Sequence, residues 1–427
     1  MQCVDCFCEH GYRRGFNEGI RTAHTDEANG ASSRGQLAGF AEARKRVTAQ
    51  VLAAAALAAW LYLILARGAF WRCAERDDGA WQKVPEPPSV AVVVPARNEA
   101  DHIAISLASL VQQDYAGPWT IILVDDDSSD STAEIAREQL AVRCADRLWI
   151  VSSGPLPAGW TGKLWALKQG IDVAIALPQP PKYLLLTDAD IVHAPDSLRR
   201  LVEHAHSKQL VLTSLMAKLR CESFAERASG PAFIFFFQML YPFAWVNQPQ
   251  SRVAAAAGGC MLVRADALAQ AGGIEVIRGA LIDDCALARV LKARGPIWLG
   301  LTARVHSIRA YAGLADIRRM VVRSAYAQLG YSPFLLLGTA AAMAVTYVIP
   351  PILVLSGTGA ARALALLTWG LMAFAFQPTL RFYCLSPLWG FALPAIALQY
   401  LLFTLDSAYQ YMRGRGGAWK GREQASA

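Results

Sequence analysis

Asp188-Ala189-Asp190 closes the apolar run Tyr183-Leu184-Leu185-Leu186, and a second acidic cluster, Asp125-Asp126-Asp127, closes another apolar run two strands earlier. Successive side chains of a strand alternate faces, so aspartates spaced by two point into one pocket at the strand end. Hard carboxylate oxygens at that spacing suit a divalent cation, and breaking a bond beside a diphosphate calls for one. The chemistry on offer is therefore group transfer from a diphosphate. The competing reading is local: acids often terminate strands and cap the helices that follow.

Those residues need a scaffold, and residues 89–330 supply its pattern. Short apolar runs at 90–94, 120–124, 148–151, 183–187 and 210–213 read as strands, with helical segments near 103–113, 132–140 and 164–176. Alternation of this kind predicts an α/β domain. Open α/β sheets bind ligands outside the carboxyl ends of their strands, where both acidic clusters fall.

The rest of the chain points to a membrane. Its 427 residues are 54% hydrophobic, with mean hydropathy +0.27. Residues 51–66 (VLAAAALAAWLYLILA), extended through 48–50, predict one transmembrane helix spanning about 48–67, and 334–355, 363–376 and 388–405 form further apolar blocks. The middle one is short, so the C-terminal membrane region, 334–406, holds two or three spans. The aromatic segment 233–246 (FIFFFQMLYPFAWV) is too short and too broken by Pro242 to span, and reads as interfacial, with a buried core segment as the alternative. The net charge of +7 gathers beside the apolar blocks and in a basic tail, 407–427, which fits anionic lipid and does not call for nucleic acid. Nine scattered cysteines argue against a disulfide framework, although Cys3, Cys6, Cys8 and His10 make a compact potential zinc cluster. Residues 1–47 read as an unstructured extension.

Taken in order, Val94-Pro95-Ala96-Arg97-Asn98-Glu99, Val124-Asp125-Asp126-Asp127, Gly162-Lys163, Asp188-Ala189-Asp190, Gly258-Gly259 with Arg264, Gly272-Gly273, and Asp283-Asp284 resemble family-2 glycosyltransferases of the GT-A fold. The stretch Leu156-Pro157-Ala158-Gly159-Trp160-Thr161-Gly162-Lys163, with one apolar block before the domain and several after it, is similar to the hopene-associated subgroup. The resemblance implies a Rossmann-like mixed sheet, a nucleotide-sugar donor, Mg²⁺ or Mn²⁺, and a lipid acceptor in a bacterial membrane. It implies that Pro95, Glu99, Asp125, Asp126, Lys163 and Asp188 contact the donor and that Asp188 and Asp190 hold the metal, Asp190 more directly. Asp284 is the implied base, with Asp283 as fallback, and a single displacement inverts the anomeric carbon. Arg319 and Arg323, four residues apart, are candidates for the diphosphate. Lys168 departs from the pattern, standing where an Asn is common. The Gln-x-x-Arg-Trp motif of processive relatives is degraded, with Met320 and Ser324 flanking Arg323.

The expected function is transfer of one sugar to a lipid-like hydroxyl. A processive polysaccharide synthase, a nucleotidyltransferase and a non-enzymatic lipid-binding membrane protein are the alternatives. The expected location is the bacterial inner membrane with the catalytic domain in the cytoplasm, where nucleotide-sugars are made. Basic residues on both sides of the first block give no clean orientation. An even number of later crossings would keep the positive tail inside, which makes 363–376 the expected re-entrant block.

Overall fold

The structure, a computed structural model, describes residues 12–141 and 147–414. Eight strands form one sheet: β1 (Val90–Ala96), β2 (Trp119–Asp125), β3 (Leu148–Ser152), β4 (Tyr183–Thr187), β5 (Ile191–His193), β6 (Leu212–Lys218), β7 (Cys260–Arg264) and β8 (Ile297–Ser307), in the order β3-β2-β1-β4-β7-β6-β8-β5. β1 runs parallel to β2 and β4, and β6 parallel to β8, while β7 is antiparallel to both β4 and β6. β1 and β4 are buried at every position. That is why they read as unbroken Val/Leu runs: helices cover both faces of the sheet. Gly162–Ile175 and Asp283–Lys292 pack on one face, and Ile103–Val111 and Ser197–Ser207 on the other. Because β2, β1, β4, β6 and β8 run the same way, their carboxyl ends share one edge.

Four helices among the described residues are long and apolar enough to cross a bilayer: Gly39–Leu65, Pro333–Ser356, Gly359–Phe382 and Pro387–Met412. The first belongs to a helix that begins at Tyr12, so the expected unstructured extension is helical from that residue, with no proline to interrupt it. The potential zinc cluster of Cys3, Cys6, Cys8 and His10 lies outside the described residues. The expected re-entrant block is instead part of one 24-residue helix, Gly359–Phe382, which carries Pro378 within its last turns.

Helix Pro387–Met412 packs both on the catalytic domain and on the other membrane helices. Trp389 packs on Phe224, the Tyr400 hydroxyl donates to the Ser229 carbonyl, and Asp406 ion-pairs with Arg318. Its Leu393, Ile396, Ala397 and Tyr400 also share a buried cluster with Trp60, Tyr347, Met372 and Phe376 of the other three helices. Ala53, Leu353 and Ala365 of those three helices form a smaller cluster of their own. The aromatic segment expected at the interface is a packed seam in the helix Phe224–Leu240. Phe235 is fully buried, with ring centroids 5.2 Å from Phe70 and 5.1 Å from Phe376, and Phe236 meets Tyr347 and Tyr400. Each such buried phenylalanine contributes about 1.5–3 kcal/mol to holding domain and membrane helices together.

Candidate active site

The turn after β4 presents Asp188 and Asp190, and a cation meets each. Lys163 Nζ lies 2.8 Å from Asp188 Oδ1 and 3.3 Å from Asp283 Oδ2. It reaches them from the first turn of Gly162–Ile175, whose N-terminus Thr161 caps by accepting from the Leu164 amide. Burial would lower the Lys163 pKa, but the carboxylates of Asp188 and Asp283 outweigh it and raise it, so the ammonium stays charged. Asp188 is pushed up by burial and by repulsion from Asp190, against the pull of Lys163.

Asp190 is held by a residue that sequence reasoning missed. Arg309, two residues beyond β8, places Nε 2.6 Å from Asp190 Oδ2 and Nη2 2.6 and 2.8 Å from the two oxygens of Glu99. One guanidinium thus ties the loop after β1 to the turn after β4. Its rigid fork suits two carboxylates at once.

Asp283 and Asp284 open the helix Asp283–Lys292, where the helix dipole favours acids. Asp284 Oδ2 accepts from the Gly258 amide at 2.9 Å, and Oδ1 accepts from the Cys285 amide at 2.7 Å. Burial and the neighbouring Asp283 push its pKa up to about 6, partly countered by Lys163 and the two amides. A carboxyl poised there is suited to accept a proton near neutral pH. Gly258 has no room to spare: a Cβ would stand 3.2 Å from Lys163 Nζ and 3.5 Å from Asp284 Oδ2.

The loop after β2 is built for a different task. Arg97 donates to the Asp126 and Asp127 carbonyls and lies 3.8 Å from each of their carboxylates. The Asp126 side chain is wholly buried there, whereas Asp125 is half-buried and accepts from Ser128 Oγ at 2.5 Å. Of the two, Asp125 is the one open to a ligand. Pro95 is buried at the end of β1, in register with Val124 of β2. The structure therefore gathers Glu99, Lys163, Asp188, Asp190, Asp283 and Asp284, with Pro95, Asp125 and Asp126 on neighbouring strand ends. It does not bring Arg319 there: Arg319 is exposed and pairs with Asp316. Arg323, at the exposed end of the same helix, acts on Tyr311, which also feels Asp190 and Arg309. Arg264 ion-pairs with Asp266 at the opposite edge of the sheet, and Lys168 is taken up by Asp172 and Glu275.

Asp188 and Asp190 offer two hard oxygen donors, and no group of three or more metal-ligating side chains is assembled among the described residues. Such a donor set fits Mg²⁺ or Mn²⁺ arriving with a diphosphate, whose oxygens and water complete the shell. It does not fit a metal caged by protein alone.

Comparison with known proteins agrees with this arrangement. The model of glycosyl transferase family 2 matches residues 91–272, and that of glycosyl transferase family group 2 matches residues 183–405. A 4,4'-diaponeurosporenoate glycosyltransferase from Staphylococcus haemolyticus is 35% identical over 103 residues, 24% of each chain. An undecaprenyl-phosphate 4-deoxy-4-formamido-L-arabinose transferase from Pectobacterium carotovorum is 30% identical over 147 residues, covering 33% of this chain and 41% of that protein. These matches span well under two thirds of either relative. Among solved structures, a mannosyltransferase from Pyrobaculum calidifontis in complex with GDP-Man and Mn²⁺ superposes with TM-score 0.52 at 18% identity, covering 84% of this chain and 99% of that one, which supports a shared GT-A fold. With the acid-tipped parallel strands, the cation-paired Asp-x-Asp turn and a family model spanning more than half its length, the chain belongs to glycosyl transferase family group 2.

Proposed function

We propose that this enzyme transfers one sugar, with inversion, from a nucleotide-diphosphate sugar to a lipid acceptor at the bacterial inner membrane, its catalytic domain facing the cytoplasm. The observation that carries this reading is the single edge on which Asp188, Asp190, Lys163, Arg309 and Asp284 converge, on a domain packed against apolar helices through Phe235 and Phe236.

Asp125 would receive the nucleoside and Lys163 the diphosphate. Asp188 and Asp190 would hold Mg²⁺ or Mn²⁺, which when bound offsets the charge that grows on the leaving diphosphate. Lys163 and Arg309 already neutralise the two aspartates, so both cations are placed to turn from carboxylate to phosphate as the donor enters. Asp284, fixed by the Gly258 and Cys285 amides, takes the proton of the acceptor oxygen as that oxygen bonds to the anomeric carbon and the sugar–phosphate bond breaks. No second carboxylate is needed as a nucleophile.

A lipid acceptor is supported by the seam with the membrane helices and by the undecaprenyl phosphate in one relative's name. A hopanoid acceptor rests on the resemblance of residues 156–163 alone. With Pro387–Met412 at the bilayer surface, the two remaining crossings, by Pro333–Ser356 and Gly359–Phe382, would leave the basic tail on the domain's side. Mass spectrometry of lipids from cells with and without the gene tests the function. A glycosylated species lost with the gene supports it, and an unchanged lipid profile with a changed polymer fraction points to the processive alternative.

A further inference from the structure

The turn that leads into β7, Ala257-Gly258-Gly259-Cys260, delivers the amide that holds Asp284, and buried hydroxyls grip it from both sides. β7 lies between β4 and β6 in the sheet, with Cys260 in register with Thr187 of β4 and Met261 in register with Ser214 of β6. Thr187 Oγ1 donates to the Gly259 carbonyl at 2.8 Å. Ser214 Oγ accepts from the Ala257 amide at 2.9 Å and donates toward the Ala257 and Cys260 carbonyls, 3.2 Å from each. Between these anchors the Gly258 amide donates to Asp284 Oδ2.

A third group stands behind Thr187. The Gly259 carbonyl can only accept, so it takes the one hydroxyl proton of Thr187, and His193 Nε2, 2.9 Å from the same oxygen, must be the donor there. The ring is neutral: burial first and His306 second push its pKa down to about 4. Thr187, His193 and Ser214 are 2%, 3% and 0% exposed. Polar groups so deep cost stability unless they are satisfied, and valine or alanine would fill those strand positions without that demand. Their hydrogen bonds converge on one turn, whose conformation sets where Asp284 stands relative to Asp188, the residue after Thr187.

We propose that Thr187 and Ser214 are positioning residues for the base: from the strands on either side of β7 they clamp the 257–260 turn, so that its Gly258 amide keeps Asp284 in place to take the acceptor proton. The role of Asp284 rests on the glycosyl-transfer reading, whereas the clamp stands on geometry alone. Asp284 is otherwise faced by Asp283 and the Cys285 thiol of its own helix and by Lys163, and none of these hydrogen-bonds to Thr187 or Ser214 among the described residues. A change at either hydroxyl therefore reaches Asp284 through the turn.

The test is an infrared pH titration of the purified full-length enzyme in detergent, following the protonated carboxyl band that is absent from Asp284→Asn. Thr187→Val keeps the side-chain shape and removes the hydroxyl, which loosens the Gly258 amide that favours the charged carboxylate. The Asp284 midpoint should therefore move up by about half a pH unit to one unit, and Thr187→Ser should return it to the wild-type value. Ser214→Ala should shift it in the same direction and carries the test if Thr187→Val does not fold. At pH 8, turnover of UDP-N-acetylglucosamine, UDP-glucose or GDP-mannose with a total bacterial lipid extract should fall about tenfold in both variants, with the donor KM unchanged. A midpoint that stays in place in folded Thr187→Val or Ser214→Ala, or a Thr187→Ser that does not restore it, overturns the clamp. A raised donor KM with unchanged kcat would assign the turn to the donor pocket and overturn its role toward the base. Midpoint shifts beside a wild type that turns over none of those donors support the clamp and count against the transfer reading instead.

Discussion

Arg309 and Asp190 meet at 2.6 Å, Nε to Oδ2, and the same guanidinium holds both oxygens of Glu99. The carboxylate proposed to bind the metal is thus already paired with a protein cation. A metal arriving alone must displace that arginine, whereas a metal arriving with a diphosphate gives the arginine a new anion. Arg309→Ala should therefore tighten Mn²⁺ binding several-fold without donor, seen by calorimetry, while weakening nucleotide-sugar binding. It should also cost on the order of 1–3 kcal/mol of stability, since Glu99 and Asp190 lose their shared partner. Unchanged metal affinity would separate Arg309 from the metal site.

Asp284→Asn should retain nucleotide-sugar binding and lower transfer by about 100- to 10,000-fold, as expected for loss of a positioned base. Calorimetry of donor binding alongside single-turnover transfer checks both halves. Equal loss of binding and transfer would assign Asp284 to the donor pocket.

The pH profile follows from the same carboxyl. Its pKa is raised to about 6, by burial first and by Asp283 second, and it acts as a base only when ionised. Transfer should be flat above that value and fall about tenfold per pH unit below it. The sign for stability is opposite: a carboxylate with a raised folded pKa favours the fold when protonated and loses that contribution as pH rises from about 4 through 6. Initial rates between pH 5 and 8, with donor saturating, measure the first effect.

Gly258→Ala places a methyl group 3.2 Å from Lys163 Nζ and 3.5 Å from Asp284 Oδ2. The neighbours must move by tenths of an ångström, and turnover should drop by about tenfold with little change in melting temperature. A variant with normal turnover would show that the Lys163–Asp284 spacing is not critical.

Much of this arrangement was legible in the sequence wherever one local signal sufficed. β1 to β4 are short apolar runs, Asp188 and Asp190 lie in the turn after β4, and Lys163 lies in the first turn of the helix that follows β3. β7 (CMLVR) and β8 (IWLGLTARVHS) were not legible: one is a short antiparallel insertion, and the other mixes glycine, threonine and arginine into its length. Arg309 carries no local mark either, because its partners lie 119 and 210 residues away in the chain. An arginine just past a strand on the ligand-binding edge is the signal that would have found it. Arg319 had the helical spacing but faces outward, since Ile317 and Val321 occupy the buried side of that helix.

Topology offers an independent check. Reporter fusions placed after Gly273 and after Gly414 should report the same side of the membrane, because a basic C-terminal tail favours the cytoplasmic side proposed for the domain. Opposite sides would mean that Pro387–Met412 crosses.

The central claim is diphosphate-linked sugar transfer at Asp188 and Asp190. Purified enzyme should be incubated with a panel of nucleotide-sugars and membrane lipid, with and without a divalent-metal chelator, while nucleoside diphosphate, pyrophosphate and glycolipid are followed together. The account predicts equimolar nucleoside diphosphate and glycolipid, abolished both by chelation and in Asp190→Asn. Release of pyrophosphate, or full transfer after thorough chelation, would contradict it.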